Sequence, residues 1–219
     1  MKYIKKILFI LILFLSCFII YNVTIDDEVY YVSLGNSLSL EEENYTTYVK
    51  DYLIKNDLLE EYNDNFIDNN YRITDLYSMI KNNTVVDNIT MNQVLKKADI
   101  ITLSIGMNEL YYNMLVSNNS VYDNVNEMIK DMEKLFYEID RYSHDKVFVL
   151  GSYNITDNNQ DIVNYYNYKL QKLVKKYDFI YLDLEKIVDK NEFVDNNFNL
   201  KYDQYIEISK IIVEKIKKY

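Results

Sequence analysis

The chain lacks proline and tryptophan altogether, and holds one cysteine and three glycines in 219 residues. The missing residue types go with an abundance of Asn, Lys, Ile and Tyr, as a coding bias toward A and T would give. Individual asparagines, and the sequons "NNT" and "NIT" that they create, therefore carry little weight. The lone cysteine, Cys17, sits near the N-terminus, so the rest of the chain can form no internal disulfide. There is also a single histidine, His144, so any imidazole chemistry has one source. What is present argues against disorder: hydrophobic residues make up 49% and tyrosines number 24. The length suits one ordinary domain with a core of its own.

The first residues read "MKYIKKILFILILFLSCFIIYNVTI". Three lysines precede a run from Ile7 to Ile25 without a charged residue, a length between a signal-peptide core and a short membrane span. No small-x-small cleavage site is visible, and Cys17 follows Phe14, Leu15 and Ser16, bulkier than a lipidation signal wants. The expectation is a signal anchor over 1–25, with the lysines in the cytoplasm and residues 26–219 on the extracytoplasmic face. A cleaved signal or a lipid anchor is the alternative. Without the leader lysines, residues 26–219 carry 21 positive and 34 negative charges, a net of -13. Such a domain repels nucleic acid and anionic surfaces, so no nucleic-acid partner is expected.

Apolar strand-like runs, "EVYYVSL", "DNFID", "DIITLSI", "KVFVL" and "FIYLDL", alternate with helical patterns at 45–62, 72–82, 121–142, 160–177 and 203–219. In the last, Tyr205, Ile208, Ile212 and Ile216 recur at helical spacing. Strands alternating with helices imply right-handed crossovers and a parallel sheet covered on both faces, in one α/β domain. Each glycine directly follows a strand-like run: Gly35 after "YYVSL", Gly106 after "IITLSI" and Gly151 after "KVFVL". The ends of parallel strands share one edge, where open α/β folds bind ligands. Glycine there permits a sharp turn or close approach of a ligand; the plainer reading is that three strand-to-loop turns need it.

"GNSLS" follows the first strand and "GMNEL" the third, which puts Ser37 and Asn108 on that edge. A serine hydroxyl at such a turn can attack an acyl carbon, and an asparagine amide beside it can donate to the oxyanion that forms. Each residue taken singly is also an ordinary turn or capping residue. The run Glu41–Glu43 suits a helix start, where acidic groups meet the positive end of the helix dipole, better than a metal site. The tyrosines of "ELYYN" and "NYYNY" could stack on sugar rings, but packing on helix faces accounts for them more simply. A nucleotide-binding or phospho-receiver domain is disfavoured, because no glycine-rich phosphate loop follows the first strand.

"SLGNSLSL" and "LSIGMNEL" resemble the first and third blocks of the SGNH, or GDSL-type, hydrolase family. "NNYRITDLYSMI" stands where the second block belongs, and "NNFNLKYDQYIEIS" where the last precedes the final helix. The resemblance spans about 28–219. It implies a flavodoxin-like three-layer sandwich, a parallel five-stranded sheet with helices on both faces. It further implies Ser37 as nucleophile, with its N–H, the backbone N–H of Asn70 and the Asn108 side chain as oxyanion hole. The substrates would be acyl esters of small molecules, glycans or lipids, with no cofactor and no metal. With Tyr205 on the family's tyrosine, Asn199 falls on the catalytic histidine and Asn196 on the aspartate; shifted by one, Phe198 and Asp195 do. Neither register supplies a base, because asparagine does not titrate near neutrality. Asn36 replaces the aspartate beside the nucleophile, and Glu109 the last aspartate of the third block. His144 precedes the fourth strand, so five residues at about 3.3 Å put it roughly 16 Å from the site edge, in a surface loop. Glu109 and Asp195 are the carboxylates that could substitute as base. The expectation is a membrane-anchored ester hydrolase of weak or lost activity, or else a non-catalytic relative that binds an envelope ligand or protein partner.

Overall fold

Parallel strands buried on both faces read as continuous apolar runs, and these runs build the centre of the molecule. The computed structural model describes residues 28–36, 38, 44–116, 120–143, 146–154, 159–188 and 200–217. In chain order these form β1 (Val29–Gly35), α1 (Tyr45–Lys55), β2 (Leu59–Ile67), α2 (Ile73–Lys81) and a small hairpin of β3 (Val85–Val86) and β4 (Ile89–Thr90). Next come α3 (Met91–Lys97), β5 (Ile100–Ser104), α4 (Met107–Val116), α5 (Val121–Asp140) and β6 (Lys146–Leu150). The chain continues through α6 (Gln160–Lys176), β7 (Ile180–Leu182), a 3-10 turn at Leu184–Lys186 and α7 (Tyr202–Ile216).

The five long strands pair in parallel in the order β2-β1-β5-β6-β7, the doubly wound arrangement expected. Alternation of side chains along each strand divides the core in two. Val32, Leu34, Ile101, Leu103, Val147 and Val149 pack under α2, α3, α5 and α6. Tyr31, Ile100, Phe148, Leu150 and Leu182 face α1 and α7 through Tyr45, Val49, Leu53, Ile208 and Ile212. Each such fully buried side chain contributes roughly 1.5–3 kcal/mol of transfer free energy. Between the first two central strands the Tyr31 hydroxyl meets Thr102 Oγ1 at 2.9 Å, and Thr102 donates to Ser33 Oγ at 3.2 Å, so the buried hydroxyls satisfy one another. The buried carboxylate of Glu138 on α5 is paired with Lys81 on α2 and with Arg141.

Three expectations need correction. The helix at 45–62 stops at Lys55, because Asp57 turns the chain with φ of 53°, and Leu59–Tyr62 belong to β2. β2 is an edge strand, only partly buried, and its Leu59 and Tyr62, with Leu58 just before it, mimic a helical period. The segment Met107–Val116, where no helix was expected, is α4; Leu110 is its one buried side chain, so almost no apolar periodicity marks it. The β3–β4 hairpin and α3 also went unanticipated. Residues 1–27, with the expected anchor, lie outside the described residues; among those described, no helix is long and apolar enough to cross a membrane.

Candidate active site

The sheet grows from β1 toward β2 on one side and toward β5 on the other, so the strand order reverses between β1 and β5. Open α/β sheets form a ligand crevice at the carboxyl ends of the strands flanking such a reversal. Gly35 ends β1 there and Gly106 follows β5, with φ of 93° and 92°. At Gly35 a Cβ would run into the Ser104 carbonyl, and at Gly106 it would lie 2.7 Å from the Tyr166 hydroxyl. Both conformation and space demand glycine at these positions.

Beyond Gly35 the chain is held tightly. The Asn36 N–H donates to the Ser104 carbonyl at 2.6 Å, and the Asp68 N–H donates to the Gly35 carbonyl at 2.8 Å, bringing the loop after β2 alongside. The buried Asn36 side chain works in both directions. Its Oδ1 accepts from the Leu38 N–H at 2.7 Å, and its Nδ2 donates to the Asn69 carbonyl at 3.2 Å. Asn108, in the first turn of α4, donates its Nδ2 to the same Asn69 carbonyl at 2.5 Å. Two amides from different blocks of sequence thus converge on one carbonyl of the loop at 68–70. In that loop Asn70 donates both its N–H and its side-chain amide to Asp68 Oδ1, at 2.7 and 3.0 Å. The N–H expected to serve an oxyanion is therefore engaged within the loop. Leu38 has φ of 60° and passes its carbonyl to the hydroxyl of Tyr205 on α7, at 2.6 Å.

Glu109, next to Asn108, accepts from the N–H of Ile73 at 3.1 Å, at the start of α2. Burial pushes its carboxyl pKa above the usual carboxylate range, against the opposing pull of the Ile73 N–H and the nearby Arg72. A cavity of about 380 Å³ opens here, lined by Asn69, Asn70, Arg72, Asn108, Glu109 and Tyr112. Amide, carboxylate and guanidinium groups line it beside one exposed aromatic ring, that of Tyr112.

Gly151 marks the same edge after β6, where its N–H donates to the Leu182 carbonyl at 2.9 Å. The Asn167 side chain brackets Ser152, accepting from its N–H at 2.9 Å and donating to its carbonyl at 2.7 Å. Glu185, after β7, accepts from the Asn154 N–H and from Gln160 Nε2, and the Tyr111 hydroxyl donates to the Tyr153 carbonyl. These bonds tie α4, α6 and the turn after β7 to the β6 end.

Of the residues singled out from sequence, Asn36, Asn70, Asn108 and Glu109 come together around the loop at 68–70. Ser37, Asn196, Asn199, Asp195, Phe198, His144 and Glu41–Glu43 lie outside the described residues. Sequence reasoning missed the convergence on Asn69, the cavity residue Arg72 and the Tyr205–Leu38 bond. Arg72 carried a usable signal, as one of only two arginines in an acidic chain.

No family model and no curated protein matches the chain. Solved structures do. A lipase from a goat rumen metagenome superposes with a TM-score of 0.67 over 85% of this chain and 96% of that one, at 17% identity. An alpha/beta hydrolase enzyme from the metagenome of Lake Arreo, Spain, gives 0.65 over 86% and 94%, at 12%. An acetylxylan esterase from Geobacillus stearothermophilus gives 0.65 over 87% and 94%, also at 12%. At such identities the likeness establishes the fold: this chain shares the α/β architecture of lipase and esterase structures over nearly their whole length.

Proposed function

We propose that the chain is a slow serine ester hydrolase of the SGNH/GDSL type, held on the extracytoplasmic face of a membrane by its N-terminal segment. One observation carries the reading. The Asn36 and Asn108 amides converge on the Asn69 carbonyl at the strand-order reversal, beside a cavity, and Asn36 directly precedes Ser37 in the sequence. Ser37 Oγ attacks the acyl carbon of a small-molecule ester, the Asn108 amide donates to the developing oxyanion, and the alcohol leaves. Water then releases the acyl group from the serine. The cavity takes the polar part of the ester.

The reaction is slow because no imidazole is at hand. Variants of the Geobacillus esterase at an aspartate and at a histidine are described as catalytic mutants. Here the only histidine, His144, precedes β6, whereas the site lies beyond its other end. Glu109, whose pKa is raised and which lines the cavity, and Asp195 are the carboxylates left to accept a proton. Loss of one triad member leaves a residual rate that the oxyanion donors supply.

A second reading, a non-catalytic protein that binds an envelope ligand, is favoured by the engagement of Asn70 and Asn108 with acceptors of the chain itself. The test is hydrolysis of a short-chain activated ester by the full-length protein in detergent micelles, beside Ser37→Ala. Slow turnover that disappears in the variant is the expected result. Equal rates in both proteins would overturn the hydrolase reading and leave the binding one.

A further inference from the structure

We infer that Arg72 makes the cavity of the candidate site a receptor for an oxyanion, so that the part of the ester lodged there carries a carboxylate or a phosphate; the second step rests on the hydrolase reading above. The amide donors around the cavity are largely spent. Asn70 gives its Nδ2 to Asp68 Oδ1, Asn108 to the Asn69 carbonyl, and Asn113 to the Met128 sulfur at 3.3 Å. Arg72 differs. Its N–H donates to Asp75 Oδ2 at 2.8 Å, but among the described residues its guanidinium donates to no group and joins no salt bridge. The other arginine, Arg141, is committed to the buried Glu138 carboxylate at 2.9 Å. Of the two guanidinium groups in the chain, one braces the end of α5 and the other stands at a cavity without a partner.

A guanidinium holds its N–H donors in a planar fork that matches the paired oxygens of a carboxylate or phosphate, and its bonds to such charged acceptors are roughly twice as strong as neutral ones. Among the residues lining the cavity Arg72 is the only cation. The opposing charge is Glu109, which lies within electrostatic reach of Arg72 without pairing with it, and whose Oε2 is held by the Ile73 N–H. Burial favours the neutral form of Glu109, so it repels an incoming anion less than an exposed carboxylate would. Residues 26–219 carry a net charge of -13, but that field is screened beyond about 8 Å at physiological ionic strength, so the charge nearest the ligand governs. Tyr112, 58% exposed, adds a flat ring for the carbon frame of the ligand. The volume of about 380 Å³ is that of a small-molecule site.

The test uses full-length protein in detergent micelles. Because the chain has two arginines, its nitrogen–proton NMR spectrum carries two guanidinium Nε–H signals. Arg72→Gln assigns them, and an unmoved Arg141 signal in that variant reports an intact fold. Glucuronate, glucose 6-phosphate and glucose are titrated in turn. The Arg72 signal is expected to move saturably with at least one anionic sugar while Arg141 stays in place. Half-saturation should lie roughly three- to tenfold below that for glucose, the worth of an exposed ion pair. A response to glucuronate alone assigns a carboxylate, and a response to glucose 6-phosphate alone a phosphate. No movement, an equal response to glucose, or equal movement of both arginine signals would overturn the inference and leave the hydrolase reading intact. In parallel, KM and kcat are measured for acetyl esters of the same three sugars. An advantage in KM for the anionic esters, lost in Arg72→Gln at unchanged kcat, is expected; an advantage that survives in the variant would overturn the role of Arg72. Saturable binding at Arg72 without turnover of any ester would overturn the hydrolase reading and leave the cavity as an oxyanion receptor.

Discussion

Asn36→Asp separates the two jobs of the Asn36 side chain with almost no change of shape. In the wild type Oδ1 accepts from the Leu38 N–H at 2.7 Å while Nδ2 donates to the Asn69 carbonyl at 3.2 Å. The aspartate keeps the acceptor and loses the donor, so above its pKa a carboxylate oxygen faces a carbonyl oxygen at hydrogen-bond distance. The side chain is nearly buried, at 9% exposure, so water cannot repair the mismatch. The lost hydrogen bond and the introduced carboxylate oxygen left without a donor cost about 2 kcal/mol together at pH 7, while Asn108 still donates to the Asn69 carbonyl. For a chain of this length that is a fall in Tm of roughly 4–8 °C. The pH dependence separates this cause from a generic packing defect. Only the protonated carboxyl can donate to Asn69, and burial disfavours the charged form, so the introduced group has a folded pKa above its unfolded value near 3.9. Its penalty is therefore absent below about pH 4 and grows as pH rises through the folded pKa. Thermal melts of wild type and variant from pH 4 to 7.5 should show curves that coincide in acid and part toward neutrality. A constant difference, or one that widens toward acid, would refute the claim that Asn36 reads the Asn69 carbonyl.

Two other substitutions probe the same edge of the sheet. Gly35→Ala forces a side chain into a backbone conformation near φ of 93° and against the Ser104 carbonyl, which the pairing of β1 with β5 holds in place. The cost should be about 3 kcal/mol or more, read as a fall of at least roughly 6 °C in Tm; a shift under 2 °C would contradict the geometry. Glu109→Gln keeps an acceptor for the Ile73 N–H and removes a carboxylate whose charged form burial disfavours. Because the folded pKa of Glu109 is raised, its ionisation weakens the fold as pH climbs above the unfolded value near 4.3. Urea denaturation should find the variant more stable than wild type at pH 7.5, with the gap closing toward pH 4. A gap that opens in acid would reverse the assignment.

The central strands were legible because burial on both faces leaves little but apolar residues: "EVYYVSL", "DIITLSI" and "KVFVL" became β1, β5 and β6 nearly residue for residue. Edge strand β2 was half hidden, since Glu60 and Glu61 face water and interrupt any strand pattern. Helix α4 was hidden for the opposite reason: Tyr112, Leu115 and Val116 are exposed, so its apolar residues do not mark a buried face. At the site, the glycines were readable because so few exist and each stands at a strand end. The parts played by Asn36, Asn69 and Tyr205 were not. Each is defined by a hydrogen-bond partner between 33 and 167 residues away, and no local spacing encodes such a partner.

The convergence of two amides on the Asn69 carbonyl bears on what this site can favour. A donor already bonded to a peptide carbonyl gains nothing by exchanging it for an ester carbonyl, a weaker acceptor. An oxyanion is another matter, since hydrogen bonds to a charged acceptor are roughly twice as strong as neutral ones. On the hydrolase reading, Asn108 therefore leaves Asn69 only when negative charge develops on the substrate. Binding energy withheld from the ground state and delivered in the transition state raises turnover without tightening substrate binding. An engaged donor is thus compatible with catalysis and unhelpful to retention of a neutral ligand. A protein whose task was to hold an uncharged ester would do better with Asn108 free. The arrangement sets against the binding reading the very hydrogen bond that favoured it, and on the hydrolase reading leaves the source of a base as the question that decides turnover.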